Sequence, residues 1–259
     1  MSAPNAKHGE PTTTSTLTAG AAAPAPTTST PLPPAGLPPE KCPDAKTCRR
    51  YAFQDASTNA ARAPRWPTGP DGLVTIRYSI NPFGSGLSNE QVQGAVAAAF
   101  ATWQAAAPKL RFVFDGLTSR APTPRDGHND IGFVHASAAH AVIHNDGSVM
   151  VEADMLFGGG PGSWTWEPCE NRDGSCTNTN VPNSTGGCCR KELQAAVTHE
   201  AGHWLWLGDM TNDALDRELT MSPRVPFNDR WRSTLALGDV LGVRALYPCS
   251  CPLPPIYAP

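Results

Sequence analysis

Residues 199–209 read His199-Glu200-Ala201-Gly202-His203-Trp204-Leu205-Trp206-Leu207-Gly208-Asp209. Two imidazoles four apart can serve one centre only where the backbone is helical, because positions i and i+4 then project from one face. The stretch therefore commits this part of the chain to a helix, expected over about Arg190 to Leu207. His-Glu-x-x-His is also the spacing with which one helix face grips a zinc ion. Glu200 can reach a water at such an ion without ligating the ion itself, and so can act as general base and then general acid. A catalytic zinc takes three protein ligands and keeps one position open. No histidine follows His203, so a third ligand downstream must be a carboxylate. Asp209 is the first candidate, just after Gly208, where the helix can end and turn back. Asp213, Asp216 and Glu218 are weaker substitutes.

Elsewhere the periodicity alternates between strand and helix. Val74, Ile76, Tyr78 and Ile80 alternate with Thr75, Arg77 and Ser79, a half-buried strand, and Asn81 to Gly86 form a turn. Ser88 and Gln91 make a capping box for a helix with Val92, Val96, Phe100 and Trp103 along one face, ended by Pro108. Leu110 to Phe114 and Ile131 to Ala136 read as strands. Ala141 to His144 and Ser148 to Phe157 read as a hairpin joined at Asn145-Asp146-Gly147. Gly158 to Gly187, rich in Gly, Asn and Cys, is expected to be a long disulfide-pinned loop, and Ala236 to Leu246 a last helix. The order describes an α+β domain.

Residues 1–40 hold nine of the 27 prolines among Thr, Ala, Ser and Gly. They cannot bury enough apolar surface to offset ordering entropy and are expected to be a disordered linker. Residues 41–69 form a Cys-containing extension, and folded catalytic character is expected over 70–259. With 17 % charged residues, a net charge of −3 and no basic run, the chain gives nucleic-acid binding little support. No apolar stretch approaches the length of a membrane span. The eight cysteines, Cys42, Cys48, Cys169, Cys176, Cys188, Cys189, Cys249 and Cys251, lie in loop-like surroundings without Cys-x-x-Cys spacing and are disulfide candidates. Disulfides imply an oxidising compartment, secreted or at the extracellular cell envelope. With it comes the expectation that a signal peptide has been removed and a start methionine put in its place.

Residues 199–209 resemble the metzincin signature His-Glu-x-x-His-x-x-Gly-x-x-His, with Asp209 at the third-ligand position as in the snapalysin-like members. Leu219-Thr220-Met221-Ser222-Pro223 resembles the family's Met-turn. Glu192 to Thr198, Tyr78 to Asn81, Ala99-Phe100 with Trp103, Glu152 to Phe157 and Leu237 to Tyr247 are similar to the flanking pieces of matrixins, particularly the bacterial secreted ones. The resemblance covers about residues 70–248. It implies a zincin fold with a twisted, mostly parallel sheet, an antiparallel edge strand, an active-site helix, the Met-turn and a C-terminal helix. It implies one catalytic Zn2+ on His199, His203 and Asp209, with Asp239 bracing the Met-turn. Matrixin-like proteases often require Ca2+, which makes that ion a further candidate.

The resemblance also implies a polypeptide substrate laid against the edge around Ala138 to Ile143, with Arg224 to Arg232 lining the primed-side pocket. Trp206 departs from the family, standing where it has a glycine. The family's structural zinc site is poorly matched. His128-Asn129-Asp130 begins like it, but Leu156 occupies a later histidine position, and His135, His140 and His144 are read as strand and loop residues. Lys41-Cys42-Pro43-Asp44 resembles the latency motif in part, but with Cys48 close by a disulfide is the expected fate of Cys42.

The expected activity is zinc-dependent endopeptidase. A catalytically weak, metzincin-like zinc-binding module of the envelope is the alternative, and an envelope-attached structural protein using residues 1–40 as a spacer is a third reading.

Overall fold

The computed structural model describes residues 50–134, 139–159, 163–165, 191–211, 219–223 and 230–253. The expected linker, the six cysteines other than Cys249 and Cys251, His135, Asp213, Asp216, Glu218 and most of the Gly/Asn/Cys-rich loop lie outside these residues.

The fold is mixed α/β with a mostly parallel five-stranded sheet. The alternating run forms β1 (Val74–Asn81), with Val74, Ile76, Tyr78 and Ile80 buried. The capping box at Ser88 is formed reciprocally with Gln91 and starts α1 (Asn89–Ala106). The helix returns the chain to β2 (Leu110–Leu117), which pairs parallel with β1. β3 (Asp130–Val134) lies on the other side of β1, β5 (Val149–Gly158) beside β3, and β4 (His140–Asp146) at the edge, in the order β2-β1-β3-β5-β4.

Only the β4–β5 pairing is antiparallel. This hairpin reverses at Gly147-Ser148 rather than over Asn145-Asp146-Gly147. Asn145 and Asp146 stay in the strand after a register shift at His144, and Gly147 takes φ 63°.

Phe100 of α1 fills the space between sheet and helices. Its ring stacks on Phe112 at 4.0 Å, meets Tyr78 edge-on at 4.7 Å and lies 5.6 Å from Trp204. Trp103 then docks α1 on α2 (Leu193–Trp204), its indole N–H donating to the Thr198 carbonyl at 2.8 Å. Two short strands, β6 (Trp164–Thr165) and β7 (Lys191–Glu192), pair parallel and fix the chain immediately before α2. A 3-10 turn (Arg230–Ser233) precedes α3 (Leu237–Leu246). Cys249 and Cys251 form a disulfide. Among the described residues no helix is long and apolar enough to cross a membrane.

Residues 50–69 contribute directly to this body. Phe53 and Trp66 are in the core; the Trp66 amide donates to the Tyr247 hydroxyl and its indole N–H to the Trp204 carbonyl.

Candidate metal centre

α2 is shorter than the periodicity predicts, ending at Trp204 rather than Leu207. The Leu207 amide donates back to the Gly202 carbonyl and the Trp206 amide to that of His203. This is the Schellman pattern, in which the residue after the cap must be left-handed. That residue is Trp206, at φ 70°. The expectation that Gly208 turns the chain is thus corrected, since the reversal is complete two residues earlier. An L residue in this region carries a steric cost of about 1–2 kcal/mol. Its surroundings hold it there.

Those surroundings are residues 52–54. Phe53 bridges Leu207 antiparallel, the Gly208 amide donates to the Ala52 carbonyl at 2.8 Å, and the Gln54 amide to the Trp206 carbonyl at 3.2 Å. Gly208 is required for this approach rather than for a positive φ. A Cβ there would stand 2.3 Å from the Phe53 carbonyl oxygen.

The turn carries Asp209 to the histidines. Its Oδ1 lies 3.4 Å from His199 Nε2 and 3.6 Å from His203 Nε2. Behind the rings, His199 Nδ1 is 2.8 Å from the Thr220 carbonyl oxygen and His203 Nδ1 is 2.8 Å from that of Leu207. A carbonyl only accepts, so the neutral tautomer with its N–H at the rear satisfies that carbonyl and leaves Nε2 free for an ion. His199, Glu200 and His203 bring their ligand atoms within 4.8 Å of one another, the one such group of three among the described residues. The cluster can hold a metal ion.

Glu200 is buried, and among the described residues its Oε2 has no hydrogen-bond partner, while the Ala141 backbone bonds the carboxylate. Burial pushes its pKa up to about 7, opposed by His199. Burial, with His199 beside it, brings His203 down to about 4. Burial opposes charge on His199 and Asp209 too, but their mutual interaction prevails, raising His199 and lowering Asp209. The metal-free site therefore favours an ion pair between those two, with Glu200 poised near neutrality.

Beneath the helix sits Met221. A Cβ on Gly202 would come within 2.1 Å of its sulfur, so the glycine inside the His-Glu-x-x-His spacing is what admits the methionine. Asp239 on α3 accepts from the Thr220 and Met221 amides at 2.8 and 3.2 Å and from that of Ala236 at 2.8 Å. Beside the histidines a cleft of ≈ 550 Å³ opens, with Ala139, His140, Ala141 and Ile143 of the β4 edge on its wall and Gln54, Trp164 and Pro223 also lining it.

Arg232 is buried and donates to the Ser222 carbonyl, whereas 224–229 lie outside the described residues. His128 stays exposed, Asp130 is taken by a bidentate pair with Arg120, and His144 and His140 lie on β4, so none of them joins the cluster. The carbonyls of Thr220 and Leu207, the Ala141 backbone and Gln54 carry no sequence signature and were found only in the structure. No protein-family model matches the chain, and no curated protein matches it.

Proposed function

We propose that the chain is a secreted, zinc-dependent endopeptidase of the metzincin type, similar to the matrixins. The observation that carries this reading is the convergence of His199 Nε2, His203 Nε2 and Asp209 Oδ1, with the two imidazoles tied at the rear to carbonyls. A tetrahedral zinc with ligands at about 2.0–2.1 Å sets ligand–ligand edges of roughly 3.4 Å. The 3.4 and 3.6 Å separations fit such a cage. His199, His203 and Asp209 would hold the ion, and two imidazoles with one carboxylate are a donor set suited to zinc.

Zinc held there by His199, His203 and Asp209 would serve as a Lewis acid and make water a nucleophile near neutral pH. Glu200 does the proton work. Its carboxylate would accept a proton from the attacking water and pass it to the leaving amine. The β4 edge offers backbone groups to an extended peptide, which adds to the sheet as a further strand and brings its scissile carbonyl over the histidines. Met221 and Asp239 hold the floor under the ligands and touch no substrate. The Cys249–Cys251 disulfide supports an extracellular setting.

Protein-gel zymography of the wild type beside Glu200→Ala, with and without a zinc chelator, tests the reading. Glu200→Ala is expected to keep one zinc per chain and to lose at least about 10²–10⁴-fold in rate. Chelation should abolish the wild-type band. Undiminished cleavage by Glu200→Ala would sink the mechanism. Stoichiometric zinc with no cleavage of any unfolded protein would instead favour the non-catalytic binding module.

A further inference from the structure

The contacts of one side chain from the N-terminal segment reach the metal ligands from behind. Gln54 Nε2 lies 2.9 Å from the Leu207 carbonyl oxygen and 2.7 Å from His203 Nδ1. The Leu207 carbonyl is the group that receives the His203 Nδ1–H. A carbonyl has two lone pairs, so it can accept from the imidazole and from the Gln54 amide together. When Nδ1 is bare, the same amide can donate to it instead. In either tautomer the rear edge of the ring has a partner, and the ring plane is set before any ion arrives. The backbone of the same residue holds the Trp206 carbonyl, and its neighbours hold Leu207 and Gly208. Every residue between the left-handed reversal and Asp209 is therefore paired to residues 52–54.

We propose that Gln54 is a positioning residue of the metal centre, orienting His203 through its rear edge and steadying the turn that presents Asp209. The role rests on the metal reading given above. Gln54 also lines the cleft, so its role at the centre is read from metal affinity rather than from turnover. It acts through a ligand and through the peptide group that this ligand leans on, an arrangement whose loss costs about 10–100-fold in metal affinity in comparable sites.

The test measures Zn(II) affinity by competition with a chromophoric chelator, alongside the visible absorption of the Co(II)-loaded protein, for the full chain and two variants. Gln54→Ala removes the side chain. Gln54→Met keeps its length and loses its donors. Both variants are expected to bind Zn(II) about 10–100-fold more weakly than wild type and to show an altered Co(II) band. The metal-free unfolding midpoint should stay close to wild type, because Gln54 is exposed. Ile76→Val, a truncation in the core of β1, serves as the control: it should lower the midpoint and leave affinity and spectrum alone.

Affinities within two-fold of wild type for both Gln54 variants, with unchanged spectra, overturn the positioning role. So does wild-type behaviour of Gln54→Met beside a weakened Gln54→Ala, which would mean that the side chain only fills space. A wild type that binds no Zn(II) removes the metal reading itself, a result distinct from either.

Discussion

The turn carrying Met221 and the turn carrying Asp209 both border the two histidines, and a backbone bond joins them, from the Met210 amide to the Met221 carbonyl at 2.7 Å. They are secured by different physics. At the first, Leu219, Thr220, Met221 and Ser222 are all buried, three amides converge on the Asp239 carboxylate, and the Thr220 hydroxyl donates to the Thr234 carbonyl at 2.7 Å. Around Asp209 the support is an antiparallel seam of backbone bonds to residues 52–54, closed over a tryptophan at φ 70°. The exposures of the ligands follow. The His199 side chain, anchored to the floor, is 6 % accessible, and that of Asp209, delivered by the rim, is 45 % accessible. The floor belongs to the stability of the protein, whereas the rim can loosen without unfolding it. Fold and metal geometry should therefore be separable by mutation.

The hardest blow to the floor is Asp239→Ala, which strands buried amides. Unsatisfied buried donors cost about 1–3 kcal/mol each, so a loss of roughly 3–5 kcal/mol is expected in urea denaturation. A loss below about 1 kcal/mol would mean that the floor is not built on this carboxylate.

Two glycine substitutions then set floor against rim. Gly202→Ala drives a Cβ onto the Met221 sulfur, an overpacking worth about 1–3 kcal/mol of stability. Gly208→Ala drives one onto the Phe53 carbonyl, which can yield only if residues 52–54 move away from the turn. That variant should be the weaker Zn(II) binder of the two, by about ten-fold or more, at a smaller cost in midpoint. Equal ratios of the two effects in the two variants would erase the distinction.

The smallest effect concerns Trp206 alone. Trp206→Gly and Trp206→Ala lose the same indole, but only glycine is at ease at positive φ, so the glycine variant should be the more stable by about 1 kcal/mol. The reverse order in thermal unfolding would show that Trp206 is not left-handed.

Much of this was legible in local pattern. The alternation of Val74 to Ile80 and the Ser88–Gln91 box each specify their element through contacts only a few residues away. The two histidines are likewise placed by helical spacing alone. Asp239 was assigned by resemblance to a family rather than by any pattern of its own. Trp206 could be singled out as standing at a position that wants glycine, but not as the residue that takes the reversal itself. A left-handed tryptophan is permitted only by the seam against residues 52–54. That seam has no periodicity to read. Tyr51-Ala52-Phe53-Gln54 shows no hydrophobic repeat, forms one isolated bridge and finds its partners about 150 residues away. Long-range pairings of this kind leave almost no trace in a single sequence.

The reach of that seam also sets the order in which the molecule can be made. Gln54 and Leu207 are 153 residues apart, and the floor beside them waits on Asp239 of α3. Contacts this distant form late, after the entropy of closing a long loop has been met. The β1–α1–β2 unit can assemble while the ligands are still unsynthesised. The two histidines, Asp209 and the seam to residues 52–54 can come together as soon as that stretch folds, but the floor at Met221 is complete only once Asp239 is in place. A nascent copy that has not yet reached Asp239 carries the motif without the floor beneath it.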